Sequence, residues 1–328
     1  MKEILQYLFN QNTLSKSEAK AIMIEIAQNK FNTTEVASFI SIFLMRNITL
    51  DELEGFREAL LQMAIPVNLH THETVDIVGT GGDGKNTINI STLACFVVAG
   101  AGQKVTKHGN YGASTITGSS NVMEELGYQF SENSDLLNEN LEKANICFLH
   151  APYFHPALKS VGALRKALGL RTFFNLLGPL VNPAKPQFSV IGVYNLEIAR
   201  IYQYLLQKDQ RDFILVHGLD GYDEISLTQD SKVISKSGEN IYSAEDLGFK
   251  AVTPESIKGG ASPKESAKIF MDILEGKGTE QQNSVVLANA AVTLYHTGKY
   301  GSYEESLLLA KDSLESGKAL RSLELIRK

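Results

Sequence analysis

Apolar residues recur at helical spacing from the start of the chain to about residue 65. Ala19, Ile22, Met23 and Ile26 form one stripe, Val36, Phe39, Ile40, Phe43 and Leu44 a second, and Leu53, Phe56 and Leu60 a third. Each stripe follows a candidate capping box: Ser15-x-x-Glu18, Asn32-x-x-Glu35 and Thr49-x-x-Glu52. In such a box the first side chain accepts a backbone N–H and the acid reaches back to another. The pattern predicts a small helical bundle. Phe39, Ile42, Phe43 and Met45 make its second helix apolar on more than one side, which suits burial first and a subunit interface second. The stretch 66–72 is polar and irregular and reads as a hinge.

Beyond the hinge the period changes. Short apolar runs at 75–78, 104–106, 146–149, 187–192 and 213–217 read as strands. Between and after them, helical patterns occupy 91–101, 119–126, 134–143, 195–207 and 285–296. A long terminal helix, 303–327, opens with Ser302-x-x-Glu305. From 233 to 251 the pattern weakens around a hairpin-like turn, Ser-Lys-Ser-Gly-Glu-Asn. The alternation argues for an α/β domain, a central sheet flanked by helices, preceded by a small all-helical N-terminal domain. The division falls at 1–66 and 67–328, with helices around 165–185 as candidates to join the small domain.

Composition narrows the class. A chain of 328 residues, 43% of them hydrophobic, can bury a large core. A net charge of -6 argues against a general nucleic-acid binder. The two cysteines, Cys95 and Cys147, lie far apart in apolar surroundings and fit a reducing cytosol rather than a disulfide framework. The N-terminus does not resemble a secretory signal, and no apolar run approaches the roughly 20 residues needed to span a bilayer.

Candidate chemistry centres on 75–92, VDIVGTGGDGKNTINIST. Strand, glycine turn and helix start form a layout that cradles a phosphate: backbone N–H groups reach the anion unhindered by Cβ atoms, and the helix N-terminus adds partial positive charge. From Gly84 to Met123 there is no Asp or Glu, while Lys85, Lys104, Lys107 and His108 fall inside the window. In an acidic chain, that gap suggests a polyanion. The loop formally matches a dinucleotide fingerprint, but the acidic residue expected about 20 positions on is missing. It nearly matches a P-loop, but Asn86 stands where a metal-binding hydroxyl belongs. A second glycine- and hydroxyl-rich loop, 111–120, follows Lys107-His108-Gly109-Asn110 and also enters a helix, so two loops could hold two phosphate groups. Arg165, near a helix end, is either part of a solvated basic face or a fork for a carboxylate. Phe173 to Leu180 offers an apolar wall. Asp223 and Glu224, after a strand, are either solvated or hard oxygen ligands for Mg²⁺.

Taken together, GTGGD (79–83), NIST (89–92), KHGN (107–110), HPALKSVGALRKALGLRTFFNLLGPLVNP (155–183) and HGLDGYDEIS (217–226) resemble the anthranilate phosphoribosyltransferase family. The resemblance implies that Gly79, Gly82, Asp83, Thr87, Asn89, Ile90, Ser91, Thr92, Lys107 and Ser119 bind phosphoribosyl pyrophosphate. It implies that Gly79, Asn110 and Arg165 contact anthranilate, and that Ser91, Asp223 and Glu224 hold Mg²⁺. It further implies a homodimer joined through the helical domain and a place in tryptophan synthesis. Lys107, for charge on the leaving group, and His108, to orient the amine or carboxylate, are the catalytic candidates. The chain departs from the family where Tyr111 replaces a common Arg, Ile116 a Lys and Asn121 an Asp, leaving the second loop poorer in cations. Tyr222 replaces a commoner Leu. The rival readings are a pyrimidine nucleoside phosphorylase, a non-catalytic nucleic-acid-binding relative and a P-loop kinase.

Overall fold

The computed structural model describes residues 1–112, 116–209 and 211–327, apart from the side chain of Ser160. Four helices open the chain: α1 (Lys2–Phe9), α2 (Lys16–Ala27), α3 (Thr33–Met45) and α4 (Leu50–Met63). All three expected capping boxes form. In the third, Glu52 does more than cap α4. Its fully buried carboxylate also receives the Arg46 guanidinium and the N–H of Leu14, pinning the connections on either side of α2 and α3. Phe39, Ile42 and Phe43 face inward, whereas Leu44 and Met45 are exposed, Met45 almost fully.

A seven-stranded sheet follows: β1 (Val75–Gly79), β2 (Val105–Gly109), β3 (Ile146–His150), β4 (Phe188–Gly192), β5 (Asp212–Gly218), β6 (Ser231–Ser235) and β7 (Gly238–Tyr242). Its order is β3-β2-β1-β4-β5-β6-β7. The first five strands are parallel, and the β6–β7 hairpin adds on antiparallel. The helices are α5 (Ile90–Gly100), α6 (Ser119–Glu125), α7 (Ser134–Ala144), α8 (Ala151–Phe154), α9 (Pro156–Leu168), α10 (Leu196–Gln207), α11 (Pro263–Leu274), α12 (Glu280–His296), α13 (Tyr303–Glu315) and α14 (Lys318–Ile326).

Three boundaries differ from expectation. The terminal helix is two helices, because Gly317 takes a left-handed conformation (φ 78°) that ends one and starts the next. The helix expected at 285 begins at Glu280, where Thr279 and Gln282 form a capping box, and α11 was not foreseen. Strand β2 runs on through Lys107 and His108, which are buried rather than lying in a loop after it. The segment 66–72 is irregular and tied to α7: Asn138 accepts from the His70 N–H and donates to the Asn68 carbonyl.

Two apolar layers sandwich the sheet. On one side α5, buried from Thr92 through Ala99, packs with α12 and α14. On the other, the bundle merges with Val161, Phe173 to Val181 and α10. Phe39, Phe43, Phe56 and Phe173 form the joint, with Phe56 and Phe173 stacked at 4.7 Å between ring centroids. Aromatic pairs of this kind add about 0.5–1.5 kcal/mol each beyond their area burial.

Candidate active site

In a parallel sheet, ligands bind beyond the carboxyl ends of the strands, where the strand order reverses. Strand β1 is that point here, since the chain leaves it for β2 on one side and later returns to β4 on the other. The glycine loop leaves β1, Asn110 leaves β2, Ala151 leaves β3 and the Asp223–Glu224 loop leaves β5. They meet in a cavity of about 240 Å³. Gly79, Asp83, Thr87, Asn89, Ser91, Thr92, Lys107, His108, Asn110, Ser119, Arg165, Asp223 and Glu224 all line it.

Gly82 and Ile90 do not. Ile90 is fully buried in the core beneath α5 and could offer only its backbone. Gly82 has φ 80°, and the side chain of Arg171 lies where a Cβ would stand, with Nε 2.7 Å from it. Arg171 in turn lies over the Tyr194 ring, 4.5 Å from its centroid. Gly82 thus serves the shape of the loop.

The cradle is not empty of negative charge. Asp223 accepts from the Gly81 N–H at 2.7 Å, and Glu224 accepts from the Ser91 N–H at 2.8 Å and from the Thr87 hydroxyl at 3.2 Å. Two of the backbone donors expected for phosphate are therefore held by carboxylates reaching across from the β5–β6 connection. Asp83 lies close enough to Asp223 for their charges to act on each other. Burial pushes all three carboxyls above their ordinary range, Glu224 to about 7, and for Asp223 the neighbouring charges of Glu224 and Asp83 add to the effect. Crowded like charges with hard oxygen donors fit a divalent cation. Among the described residues no three His, Cys, Asp or Glu side chains form a complete metal cage. The fit is to an ion that keeps water and substrate oxygens in its shell, as Mg²⁺ does.

Asn89 takes a left-handed conformation (φ 49°) at the start of α5 and donates to the Thr117 carbonyl, joining the two loops. The second loop is closed by Asn121, whose Oδ1 accepts from the Gly112 and Gly118 N–H groups at 3.0 Å each, so a neutral side chain suffices there. Residues 113–115 of that loop lie outside the described residues.

Lys107 extends beneath β1 and donates to the Ile77 carbonyl. His108 points the other way. Its Nδ1 is 3.1 Å from the Gly178 carbonyl, to which the N–H donates, leaving Nε2 as an acceptor that has no partner among the described residues. Burial, then the neighbouring His155 and Lys107, lower its pKa to about 3, so the ring stays neutral. Arg165, on α9, lies 5.2 Å from the Phe174 ring centroid. Burial lowers its pKa, and no carboxylate pairs with it among the described residues. A half-buried guanidinium with no carboxylate partner among the described residues suits an anion.

Sequence reasoning missed the support beneath these groups. Asp76, buried in β1, accepts from the His108 N–H and from Asn182, which also donates to the Thr106 carbonyl. Burial raises the Asp76 pKa to about 6. An acid within an apolar strand was the available signal. His155 packs edge-on against His108, 5.3 Å between centroids.

Comparison with known proteins fits this geometry. Residues 71–320 match the glycosyl transferase family a/b domain, and residues 2–64 its helical bundle domain. The anthranilate phosphoribosyltransferase of Flavobacterium johnsoniae is 51% identical over 327 residues, covering 100% of this chain and 99% of the relative. That of Bacteroides fragilis is 52% identical over 323 residues, covering 98% of each. The chain belongs to the anthranilate phosphoribosyltransferase family. Among solved members of the family, the Thermus thermophilus enzyme superposes with a TM-score of 0.90 at 33% identity, covering 98% of this chain and 97% of that one. The Saccharomyces cerevisiae enzyme in complex with PRPP and Mg superposes with a TM-score of 0.88 at 28% identity, covering 96% and 93%. Family membership makes the chain a transferase.

Proposed function

We propose that the protein transfers the phosphoribosyl group of phosphoribosyl pyrophosphate to the amine of anthranilate, giving N-(5-phosphoribosyl)anthranilate and pyrophosphate, within tryptophan biosynthesis. The observation that carries this reading is the half-buried guanidinium of Arg165 on an aromatic face, without a carboxylate partner among the described residues, in the same cavity as the glycine loop and its carboxylates. One end suits an aromatic acid, the other a diphosphate.

Arg165 would take the anthranilate carboxylate in a two-pronged hydrogen bond while Phe174 lies beside it. Asn110, at the exit of β2, and Gly79 would border the amine. His108, neutral and hydrogen-bonded to the Gly178 carbonyl, would hold the cleft wall beside the amine and so help to orient it. An aromatic amine is neutral at physiological pH, so no base is needed before attack. Its N-alkylated cation is a strong acid and releases a proton once the C–N bond has formed. As the C1–O bond to pyrophosphate breaks, negative charge grows on the leaving group. The N–H groups of the glycine loop would stabilise that charge by contact, while Lys107, buried against the Ile77 carbonyl, would add positive potential from beneath β1. Thr87, Asn89, Ser91, Thr92 and Ser119 would position the rest of the donor, with Asp83 beside it. Asp223, Glu224 and Ser91 would hold Mg²⁺, which supplies charge neutralisation on the diphosphate.

The same reading includes a division into a helical domain (1–66) and a phosphoribosyl-binding domain (67–328), a homodimer through the bundle, and a cytosolic setting. The exposed Tyr7, Phe9, Leu44 and Met45 on the bundle support the dimer. No helix among the described residues is long and apolar enough to cross a membrane.

The test is to mix the protein with anthranilate, phosphoribosyl pyrophosphate and Mg²⁺ and follow loss of anthranilate fluorescence. Unchanged fluorescence, with phosphorolysis of thymidine or uridine instead, overturns the proposal in favour of a nucleoside phosphorylase.

A further inference from the structure

A diphosphate leaving group needs cations, and the cleft has few. Only Lys85, Lys107 and Arg165 line it among lysines and arginines of the described residues. Lys107 is buried and committed to the Ile77 carbonyl beneath β1. Arg165 lies over Phe174 at the aromatic end. The second loop, residues 110–120, contains no Lys or Arg.

Lys85 remains. It follows the glycine loop directly, and its backbone N–H donates to Asp83 Oδ1 at 2.9 Å, which fixes where its side chain starts. The next two residues are anchored as well: Asn86 donates to the Gly259 and Gly260 carbonyls, and Thr87 bridges to Lys258. The ammonium lies over the ring of Tyr222, 4.5 Å from its centroid. Tyr222 is itself buried, so it is a fixed seat. No carboxylate lies within ion-pair distance of Lys85 Nζ among the described residues, although three line the same cavity. A cation held by a ring face keeps its remaining N–H donors available.

We propose that Lys85 is a further binding residue for the pyrophosphate end of the donor, and that Tyr222 is the positioning residue that holds it there. In this arrangement the first loop supplies the charge that the second lacks. The proposal rests on the phosphoribosyl-transfer reading above.

The experiment measures KM for phosphoribosyl pyrophosphate and for anthranilate at saturating Mg²⁺, together with calorimetric titration of the protein with magnesium pyrophosphate. Lys85→Met is expected to raise the donor KM and the pyrophosphate Kd about tenfold, the scale of one charge-assisted hydrogen bond, with anthranilate KM within about twofold of wild type. Tyr222→Leu should reproduce part of that loss, Tyr222→Phe should restore it, and Tyr222→Leu should add nothing in the Lys85→Met background. Unchanged donor KM and pyrophosphate Kd in Lys85→Met overturn the proposal. So does an effect on Mg²⁺ requirement alone, which would make Lys85 a neutraliser of the carboxylates. Additive effects of the two substitutions remove Tyr222 from it. If the wild-type protein fails to consume anthranilate, the transfer reading falls, while the pyrophosphate titration still decides the subsite.

Discussion

Gly79→Ala tests how tightly the carboxylate cradle is built. A Cβ on Gly79 would stand 2.3 Å from Asp223 Oδ2 and 3.0 Å from its Cγ. Restoring an ordinary contact of about 3.4 Å requires the carboxylate to move by about 1 Å. It has little room to retreat as a whole, because the Asp223 carbonyl lies where a Cβ on Gly192 would be. The side chain must therefore rotate off the Gly81 N–H, now at 2.7 Å. Losing that half-buried hydrogen bond costs about 0.5–1.5 kcal/mol of stability. A displacement of about 1 Å in a group that positions reacting atoms costs about a hundredfold in rate. The expected result is a kcat down about a hundredfold and a raised Mg²⁺ requirement, in a protein that still melts cooperatively. The assay is fluorescence loss at varied Mg²⁺ concentration, with a thermal melt as control. Wild-type kcat and Mg²⁺ dependence in a folded Gly79→Ala protein would refute the reasoning.

Other outcomes follow from the same contacts. Arg165→Ala should raise anthranilate KM at least about tenfold and leave donor KM nearly unchanged; the opposite pattern removes the carboxylate role. Arg46→Ala should destabilise the fold by about 3 kcal/mol in thermal melts, because Glu52 is left buried without its partner. Burial raises the Glu52 pKa, but Arg46 and the N–H donors more than offset this, so the folded value is lowered. The wild-type advantage should thus be full above the ordinary carboxylate value and shrink as the pH falls through the lower, folded one; an unchanged gap in acid would contradict it. His108 and His155 are held neutral, with pKa values lowered mainly by burial to about 3 and about 4. Unfolding below about pH 6.5 should therefore take up protons, and stability should fall as the pH drops from there toward 4. A flat stability profile over that range would show that the two rings are not held neutral.

Much of the fold was legible because its signals are local. The capping boxes placed α2, α3, α4 and α13, and alternating apolar runs placed the parallel strands. The single terminal helix was misjudged because one glycine within a helical pattern can be carried through as well as end it, and only the left-handed backbone of Gly317 decides for an end. Strand β2 was cut short because Lys107 and His108 look like surface residues; only the carbonyls of Ile77 and Gly178, distant in sequence, make their burial tolerable. At the site, the motifs located nearly every lining residue. They could not reveal that Asp223 and Glu224 reach back to the Gly81 and Ser91 N–H groups, because that pairing spans more than 130 residues. Nor could they show that Ile90 faces the core, which depends on the rotation of α5 against the sheet.

Phe173 and Phe174 are neighbours in sequence, with their rings stacked 4.4 Å apart, yet they answer to different masters. Phe173 closes the aromatic joint of the bundle with Phe56, while Phe174 underlies Arg165. The grip proposed for Arg165 on the acceptor would therefore depend on the bundle's interior. A small void opened at Phe56, remote from any substrate, would be felt first as weakened capture of the aromatic acid, before the fold gave way.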